Sequence, residues 1–78
     1  MQLKVYSPEK IIFDEAVKSV TFPGTLGGFQ ILDLHAPFIS SLKSGNIVIQ
    51  TESEERVIEV ESGFVEVLKH GISALVEE

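Results

Sequence analysis

The residues whose types could support chemistry lie in the segment GFQILDLHAPFISSLK, residues 28–43. Asp33 and His35 are two positions apart, so in an extended strand their side chains share one face, and Ser40 and Ser41 follow closely. A serine nucleophile, a histidine base and an orienting carboxylate suit acyl transfer, but such groups normally converge from separated parts of a chain. In extended backbone these residues cannot fold back onto one another. We therefore predict no catalytic triad, and an enzyme with Asp33 and His35 as an acid–base pair is kept as an alternative.

Metal and cofactor sites have no clear signature in the sequence. Two histidines and no cysteine offer few ligands for a zinc site. The cluster of Glu52, Glu54 and Glu55 lacks the alternating oxygen ligands and central glycine of a calcium loop, which favours a solvated hairpin tip. Gly27 and Gly28 are not followed by the Lys-Ser or Lys-Thr of a phosphate-binding loop. We predict no metal, no cofactor and no enzymatic activity.

The charge balance of the chain restricts its partners. Twelve acidic and six basic residues give a formal net charge of −6. The basic residues are spread singly and form no patch suited to a phosphate backbone, so we predict no nucleic-acid partner. No apolar run approaches the roughly 20 residues of a membrane-spanning helix, and the N-terminus has no apolar core of signal-peptide length. These features predict a soluble, intracellular protein that contacts a membrane only through partner subunits.

Turn-forming residues recur every few positions, and the segments between them alternate apolar and polar side chains. Clear examples are Ile47 with Ile49 and Val65 with Val67. Short alternating segments separated by turns indicate an antiparallel sandwich or barrel. About nine such segments occur, and we assign them to a single domain over residues 1–78. We expect the apolar positions, including most of the phenylalanines, to fill the space between two sheets, and acids to coat the outer faces.

Three stretches of the sequence resemble one family. LKVYSPEKIIFDEAVKSVTFPG is similar to the opening of the N-terminal β-sandwich of the epsilon subunit of bacterial F-type ATP synthase. In GFQILDLHAPFISSLKSGNI, the residues His35, Ala36 and Pro37 match the family's His-Ala-Pro block. The closing segment SGFVEVLKHGISALVEE resembles the family's final strands. The resemblance covers nearly all of the chain.

The resemblance implies two groups of interaction residues. One group is expected near the gamma subunit: Ser7, His35, Ala36 and Pro37. The other is expected on a loop facing the ring of c subunits: Gly27, Gly28, Phe29 and Gln30. The chain departs from the family pattern in this loop, because Gly28 stands where many members carry Glu and Gln30 where they carry Gly. The ring contact would then be made without a carboxylate, through Phe29, Gln30 and neighbouring backbone.

The implied function is that of a non-catalytic rotor subunit that binds gamma and the c-ring and couples proton flow to ATP synthesis. The implied location is peripheral, on the cytoplasmic side of the bacterial inner membrane. About ten short strands are expected, without a C-terminal helical hairpin, in a naturally short epsilon chain or a segment of a longer one. Two further interpretations stay open: an unrelated adaptor, and a biotinyl or lipoyl carrier domain modified at Lys43. An isolated domain of this kind could also self-associate weakly through an exposed gamma-binding face.

Overall fold

A computed structural model describes residues 1–33 and 36–78, which contain nine β-strands and no helix. In chain order the strands are β1 Gln2–Tyr6, β2 Ile11–Ala16, β3 Ser19–Phe22, β4 Phe29–Ile31, β5 Phe38–Leu42, β6 Gly45–Gln50, β7 Glu55–Val60, β8 Ser62–Leu68 and β9 Gly71–Glu77. Within the described residues, no helix is long and apolar enough to cross a membrane. The all-β prediction is confirmed, with nine strands in these residues against about ten expected.

The strands form two sheets that pack face to face. The larger sheet has the order β2-β1-β9-β8-β5, and the smaller has the order β4-β3-β6-β7. Pairings between strands of the described residues are antiparallel, except that β1 runs parallel to β9, with Leu3 opposite Ile72 and Val5 opposite Ala74. The predicted antiparallel sandwich is confirmed apart from this pair, which places the first and last strands side by side in the larger sheet.

The space between the sheets is filled by the inward positions of the alternating strands. Because successive side chains of a strand point to opposite faces, every second residue enters the core. Among the described residues the buried apolar set is Leu3, Val5, Phe13, Val17, Val20, Phe22, Ile31, Leu42, Ile47, Ile49, Ile58, Val60, Val65, Val67, Ile72, Ala74 and Val76. Both sheets contribute to it. The alternation predicted for β6 and β8 is therefore confirmed.

Short links hold the two sheets together. Residues 17–18 connect β2 to β3, residues 43–44 connect β5 to β6, and Glu61 connects β7 to β8. Backbone hydrogen bonds fix these links, because Lys43 N donates to Pro23 O at 2.9 Å and Glu61 N donates to Glu77 O at 2.7 Å. Close packing combined with short links gives a stiff body, whose surface groups keep fixed positions relative to one another.

Candidate protein-interaction surface

The residues considered for catalysis take structural roles where the structure describes them. Asp33 Oδ1 lies 3.5 Å from the N-terminal nitrogen of Met1. Ser40 Oγ donates to Ser41 O at 3.1 Å, and Ser41 Oγ lies 2.7 Å from Thr25 Oγ1. His35 lies outside the described residues. The contacts of Asp33, Ser40 and Ser41 tie segments together and do not form a nucleophile–base pair with one another.

The acidic cluster lies where a hairpin tip was predicted. Glu52 and Glu54 are exposed in the turn between β6 and β7, and Glu55 is the first residue of β7. Thr51 Oγ1 organises this turn by accepting from Ser53 N at 3.3 Å and Glu54 N at 3.1 Å. Across residues 1–33 and 36–78, no group of three or more His, Cys, Asp or Glu side chains is arranged to hold a metal ion.

The carrier interpretation depended on Lys43, and the position of Lys43 does not suit it. A carrier lysine has to stand at the tip of an exposed hairpin. Lys43 instead lies in the two-residue crossover from β5 in the larger sheet to β6 in the smaller sheet, with its backbone nitrogen bonded to Pro23 O. The crossover is held against the β3–β4 connection and offers no protruding tip.

The residues predicted to lie near gamma occupy opposite ends of the larger sheet. Ser7 lies in the turn after β1, where its Oγ accepts from Glu9 N and Lys10 N at 3.3 Å each. Ala36 and Pro37 are exposed immediately before β5. In the sheet, β9 and β8 separate β1 from β5. Three strand spacings amount to roughly 15 Å. The structure therefore does not bring Ser7 together with Ala36 and Pro37 in one cluster.

A group of exposed and half-buried apolar side chains lies on the outer side of the larger sheet, between these two ends. We define the apolar face as Tyr6, Ile11, Ile39, Phe64 and Leu75. The register pairs Tyr6 with both Ile11 and Leu75, and Leu75 with Phe64. Ile39 is opposite Glu66, two residues from Phe64 on the same side of the sheet. Phe64 is 63% exposed and Ile39 is 71% exposed, so this face is open to solvent.

The apolar face corrects two expectations about the surface. Acids were expected to coat the outer faces, but one outward row of the larger sheet, through Tyr6, Leu75 and Phe64, is apolar, while the row beside it, through Lys4, Ser73 and Glu66, is polar. The phenylalanines were expected in or near the core, which is right for Phe13 and Phe22, whereas Phe64 is mainly exposed and Phe38 is 39% exposed. The two-residue alternation of β8 indicates the outward position of Phe64, because the next residue, Val65, points into the core.

Two hollows border Phe64 and Leu75. The larger hollow, of about 400 Å³, is also lined by Pro8, Leu42 and Gly63. The smaller, of about 340 Å³, is also lined by Tyr6 and Ile39. A Cβ atom at Gly63 would lie 2.6 Å from Leu75 O and 3.2 Å from Val76 Cα, so β8 and β9 approach closely beneath the larger hollow because this residue is glycine. The apolar face thus offers a ridge between two concave regions.

Few charges interrupt the apolar face. Lys4 lies beside it with its Nζ 5.0 Å from the centroid of the Tyr6 ring, a cation–π arrangement. Glu66 lies opposite Ile39. Small soluble proteins rarely expose contiguous apolar side chains on this scale unless the area contacts another molecule. Aromatic residues at the centre with charges at the edge are typical of protein–protein interfaces.

The loop predicted to face the c-ring is a tight turn attached to β5. Gly27 has a φ of +128°, which strongly favours glycine, and Gly27 N donates to Gly24 O at 3.0 Å. Phe29 is half-buried, with its ring centroid 5.6 Å from that of Phe22 and 5.3 Å from that of Phe38. Gln30 is exposed on β4. Phe29 therefore packs mainly inside the domain, and the expectation that it serves a partner stays a prediction.

Leu26 was not singled out from the sequence, although the structure gives it the most exposed large apolar side chain among the described residues. Its relative exposure is 103%, at the apex of the turn between β3 and β4. Leu26 lies between turn-forming residues in PGTLGG, so it does not belong to the alternating apolar pattern of either flanking strand. That local pattern is the signal that could have identified it.

The outer side of the smaller sheet has a different composition. Its central row runs through Gln30, Thr21, Val48 and Val57, as the register of β4, β3, β6 and β7 shows. Thr21 and Val48 are half-buried and short, and Val57 is the one large apolar residue of that row with more than half of its surface exposed. No aromatic side chain lies in the row. This row therefore lacks the aromatic side chains of the apolar face.

Comparisons with known proteins agree on one family. The model of the delta/epsilon chain β-sandwich domain of ATP synthase matches residues 1–78. The chain is 39% identical over 77 residues to an ATP synthase epsilon chain of Leptospira interrogans, covering 99% of this chain and 61% of that protein. It is 41% identical over 78 residues to an epsilon chain of a Nitratiruptor species, covering 60% of that protein. The chain therefore spans about three fifths of the length of these relatives.

Solved structures show the same fold at lower identity. A chain in the central stalk and c-ring of the Tetrahymena thermophila mitochondrial ATP synthase has a TM-score of 0.85 at 15% identity, with 99% of this chain and 63% of that chain covered. A chain in the Euglena gracilis mitochondrial ATP synthase, in a structure of OSCP, F1 and the c-ring, has a TM-score of 0.89 at 18% identity, with 97% and 49% covered. At these identities the likeness establishes the fold.

Proposed function

Because this chain belongs to the family of ATP synthase delta/epsilon chain β-sandwich domains, we propose that it binds the gamma subunit through the apolar face and the c-ring through the β3–β4 turn. The epsilon chain is a non-catalytic subunit of the synthase. The domain then acts as a mechanical part of the central rotor stalk, in a membrane-associated complex. For a bacterial synthase its position is peripheral, on the cytoplasmic side of the inner membrane.

The observation that carries the proposal is the apolar face, on which Ile39, Phe64 and Leu75 are exposed and Tyr6 is half-buried. Transferring such side chains from water into a protein contact is favourable by roughly 25 cal/mol per Å² of apolar surface buried. Phe64 lies on β8 next to the central strand β9, borders both hollows and is aromatic, and large aromatic residues often dominate binding energies. The hollows accept side chains from gamma on either side of the Phe64 ring.

The residues first predicted for the gamma contact remain in the proposal, at the edges of the interface. Ser7 lies in the turn beyond Tyr6, and Ala36 and Pro37 precede β5 at the other end of the larger sheet. His35 is included on the sequence resemblance, since it lies outside the described residues. An interface that extends over the sheet from the β1–β2 turn to the start of β5 would touch both ends. We expect these marginal positions to contribute less than Phe64 does.

Coupling requires two contacts on one stiff body. The short links and the shared core keep the larger sheet and the β3–β4 turn in fixed relation. Since a close-packed interior deforms little, a torque applied at one contact is transmitted to the other. Rotation of the ring would then turn gamma, and gamma would drive nucleotide exchange in the catalytic head.

The test is a titration of the chain against the purified gamma subunit of the same organism, followed by calorimetry and by co-elution. We expect a saturable one-to-one complex with a negative heat-capacity change, which is the signature of apolar burial. Sedimentation of the chain without gamma measures its self-association through the same face. The titration is then corrected for the fraction of chain that is self-associated. A gamma subunit that binds this chain no better than it binds an unrelated acidic β-protein would contradict the proposal and favour the adaptor interpretation.

A further inference from the structure

The apolar face is nearly symmetric about the middle strand of the larger sheet. β9 is the third of the five strands, with β1 on one side and β8 on the other. The register places Leu75 of β9 between Tyr6 of β1 and Phe64 of β8, so an aromatic ring lies on each side of the leucine. A half-turn about an axis that runs along β9, just outside the sheet, would therefore bring Tyr6 over the position of Phe64.

The row beside it has the same plan, with opposite charges on its two sides. Ser73 of β9 lies between Lys4 of β1 and Glu66 of β8. Two strand spacings, roughly 10 Å, separate the backbones of Lys4 and Glu66. In the part of the chain that the structure describes, neither charge takes part in an ion pair, and Lys4 Nζ lies 5.0 Å from the centroid of the Tyr6 ring. Both charges are exposed and can pair with a second molecule.

From this arrangement we infer that two copies of the chain pair through the apolar face, about a twofold axis that runs along β9. In that pair, Lys4 of each copy lies opposite Glu66 of the other. Tyr6 of each copy lies opposite Phe64 of the other, and Leu75 meets the same residue of the second copy at the axis. Each contact away from the axis occurs twice, because the same patch serves both copies. The second copy thus pairs both charges and covers the apolar row.

The geometry of β-sheets suits this pairing. An axis close to the direction of β9 keeps the strands of the two copies nearly aligned, as in the aligned class of sheet packing. Since both sheets twist, their corners diverge, and the contact is confined to β1, β9 and β8. Such a patch is smaller than a standard interface, and the net charge of −6 on each copy opposes association. We therefore expect a weak dimer, with a dissociation constant of about 0.1–1 mM.

The second copy and gamma compete for one face. This consequence rests on the proposed function, whereas the dimer itself does not. A chain without gamma would keep its apolar face covered at high local concentration, which limits the exposed apolar area that promotes aggregation. Gamma, binding more tightly than the second copy, would convert the dimer into a one-to-one complex of chain and gamma.

The experiment measures sedimentation equilibrium of the chain alone, over a concentration series up to about 2 mM. Lys4→Glu and Glu66→Lys each place like charges opposite one another in the pair, so each should weaken the dimer at least about tenfold. Glu59→Lys makes the same change of net charge on the outer side of the smaller sheet, where Glu59 is exposed on β7. This control should stay within about twofold of the wild type.

An equimolar mixture of Lys4→Glu and Glu66→Lys is the most informative sample. In a mixed dimer, two acidic positions of one copy face two basic positions of the other, so both contacts are attractive. We expect the mixture to associate within about threefold of the wild-type affinity, while each variant alone stays monomeric. Each substitution shifts the net charge of −6 by two units, so both variants remain acidic and general attraction does not explain their pairing. Circular dichroism checks that both are folded.

The outcomes separate the inference from the proposed function. A wild-type chain that stays monomeric up to about 2 mM would overturn the inference and leave the gamma contact in place. Folded charge variants that do not associate when mixed, or that each associate as tightly as the wild type, would overturn it as well. A chain that forms the dimer but does not bind gamma would overturn the proposed function and leave the dimer standing.

Discussion

The two sheets of this domain share one core but present very different outer sides. On the larger sheet, Tyr6, Leu75 and Phe64 stand next to one another in register, and two hollows flank the Phe64 ring. On the smaller sheet, the corresponding central row is made of Gln30, Thr21, Val48 and Val57, and no aromatic residue lies in it. The inner sides are alike in composition, since valine and isoleucine predominate in both and each has one buried phenylalanine, Phe13 in the larger sheet and Phe22 in the smaller.

Stability and recognition therefore depend on alternate residues of the same strands, the inward ones on packing and the outward ones on contacts with other molecules. Inward positions are constrained by packing, and both sheets meet that constraint in the same way. Outward positions are not needed for the core. A large aromatic residue such as Phe64 at an outward position therefore indicates a contact outside the domain. Substitutions on one outer side at a time test whether the two sides differ in binding.

The largest effect is expected from Phe64→Asp. A charge at position 64, between the two hollows of the apolar face, has to be desolvated in the complex, so affinity for gamma should fall at least about 100-fold. The matched change Val57→Asp on the smaller sheet should leave affinity within about twofold. Both residues are more than half exposed, so neither change should unfold the domain. Equal losses from the two variants, measured by calorimetry, would remove the distinction between the two outer sides.

Gly63→Ala disturbs the support of the apolar face without changing its side chains. The new methyl group would lie 2.6 Å from Leu75 O, so β8 and β9 have to separate, and we expect the free energy of unfolding to fall by about 1–3 kcal/mol. Gly71→Ala serves as control, because its Cβ would meet Gln2 O at 3.5 Å. Urea unfolding measures both. Equal stability of the two variants would show that the close approach at Gly63 is not a constraint.

On the smaller sheet, Thr51→Val should reduce stability and leave binding intact. Thr51 is 8% exposed, and its hydroxyl makes bonds within the β6–β7 turn, including one donated to Glu54 O at 3.1 Å. Loss of a turn hydroxyl of this kind costs about 1 kcal/mol in the free energy of unfolding. Affinity for gamma should not change, because the turn belongs to the smaller sheet and the apolar face to the larger one. A weakened gamma complex would extend the interface to the smaller sheet.

The smallest effect is expected from Lys10→Gln. Lys10 Nζ lies 3.6 Å from Glu78 Oε1, with both side chains substantially exposed. Exposed ion pairs contribute at most about 0.5–1 kcal/mol to stability, so the urea midpoint should hardly move. Lys10 precedes Ile11 at the edge of the apolar face, so removing the Lys10 charge also tests whether charges at this edge contribute to the affinity for gamma. A loss of affinity comparable with that of Phe64→Asp would mean that the contact is electrostatic.

The fold was largely predictable because its main signal is local. The alternation around Ile47 and Val65 fixes which residues face inward, and turn formers mark where strands end. The parallel pairing of β1 with β9 was not predictable in the same way. It joins Leu3 to Ile72, and no local pattern reports on a contact between residues so far apart in the sequence.

The candidate site was predictable only in part, for reasons of geometry. A resemblance assigns Ser7 and Pro37 to one interface by sequence position, but only the strand order reveals that they lie at opposite ends of the larger sheet. Phe64 was predicted to lie in or near the core from its residue type, although its position next to the inward-facing Val65 indicates the outer side. The exposure of Leu26 was indicated by its place between turn formers in PGTLGG, whereas the attachment of that turn to Ser41 has no local signal.

The most direct test of the account follows the methyl groups of the apolar face by nuclear magnetic resonance. A soluble paramagnetic probe broadens exposed methyl signals, and Ile39, Leu75 and Val57 should all be broadened in the free chain, since each is exposed. On addition of gamma, we expect Ile39 and Leu75 to become protected from the probe while Val57 stays accessible. Protection of Val57 with continued broadening of Ile39 and Leu75 would place the interface on the smaller sheet and rule out the apolar face as the gamma contact.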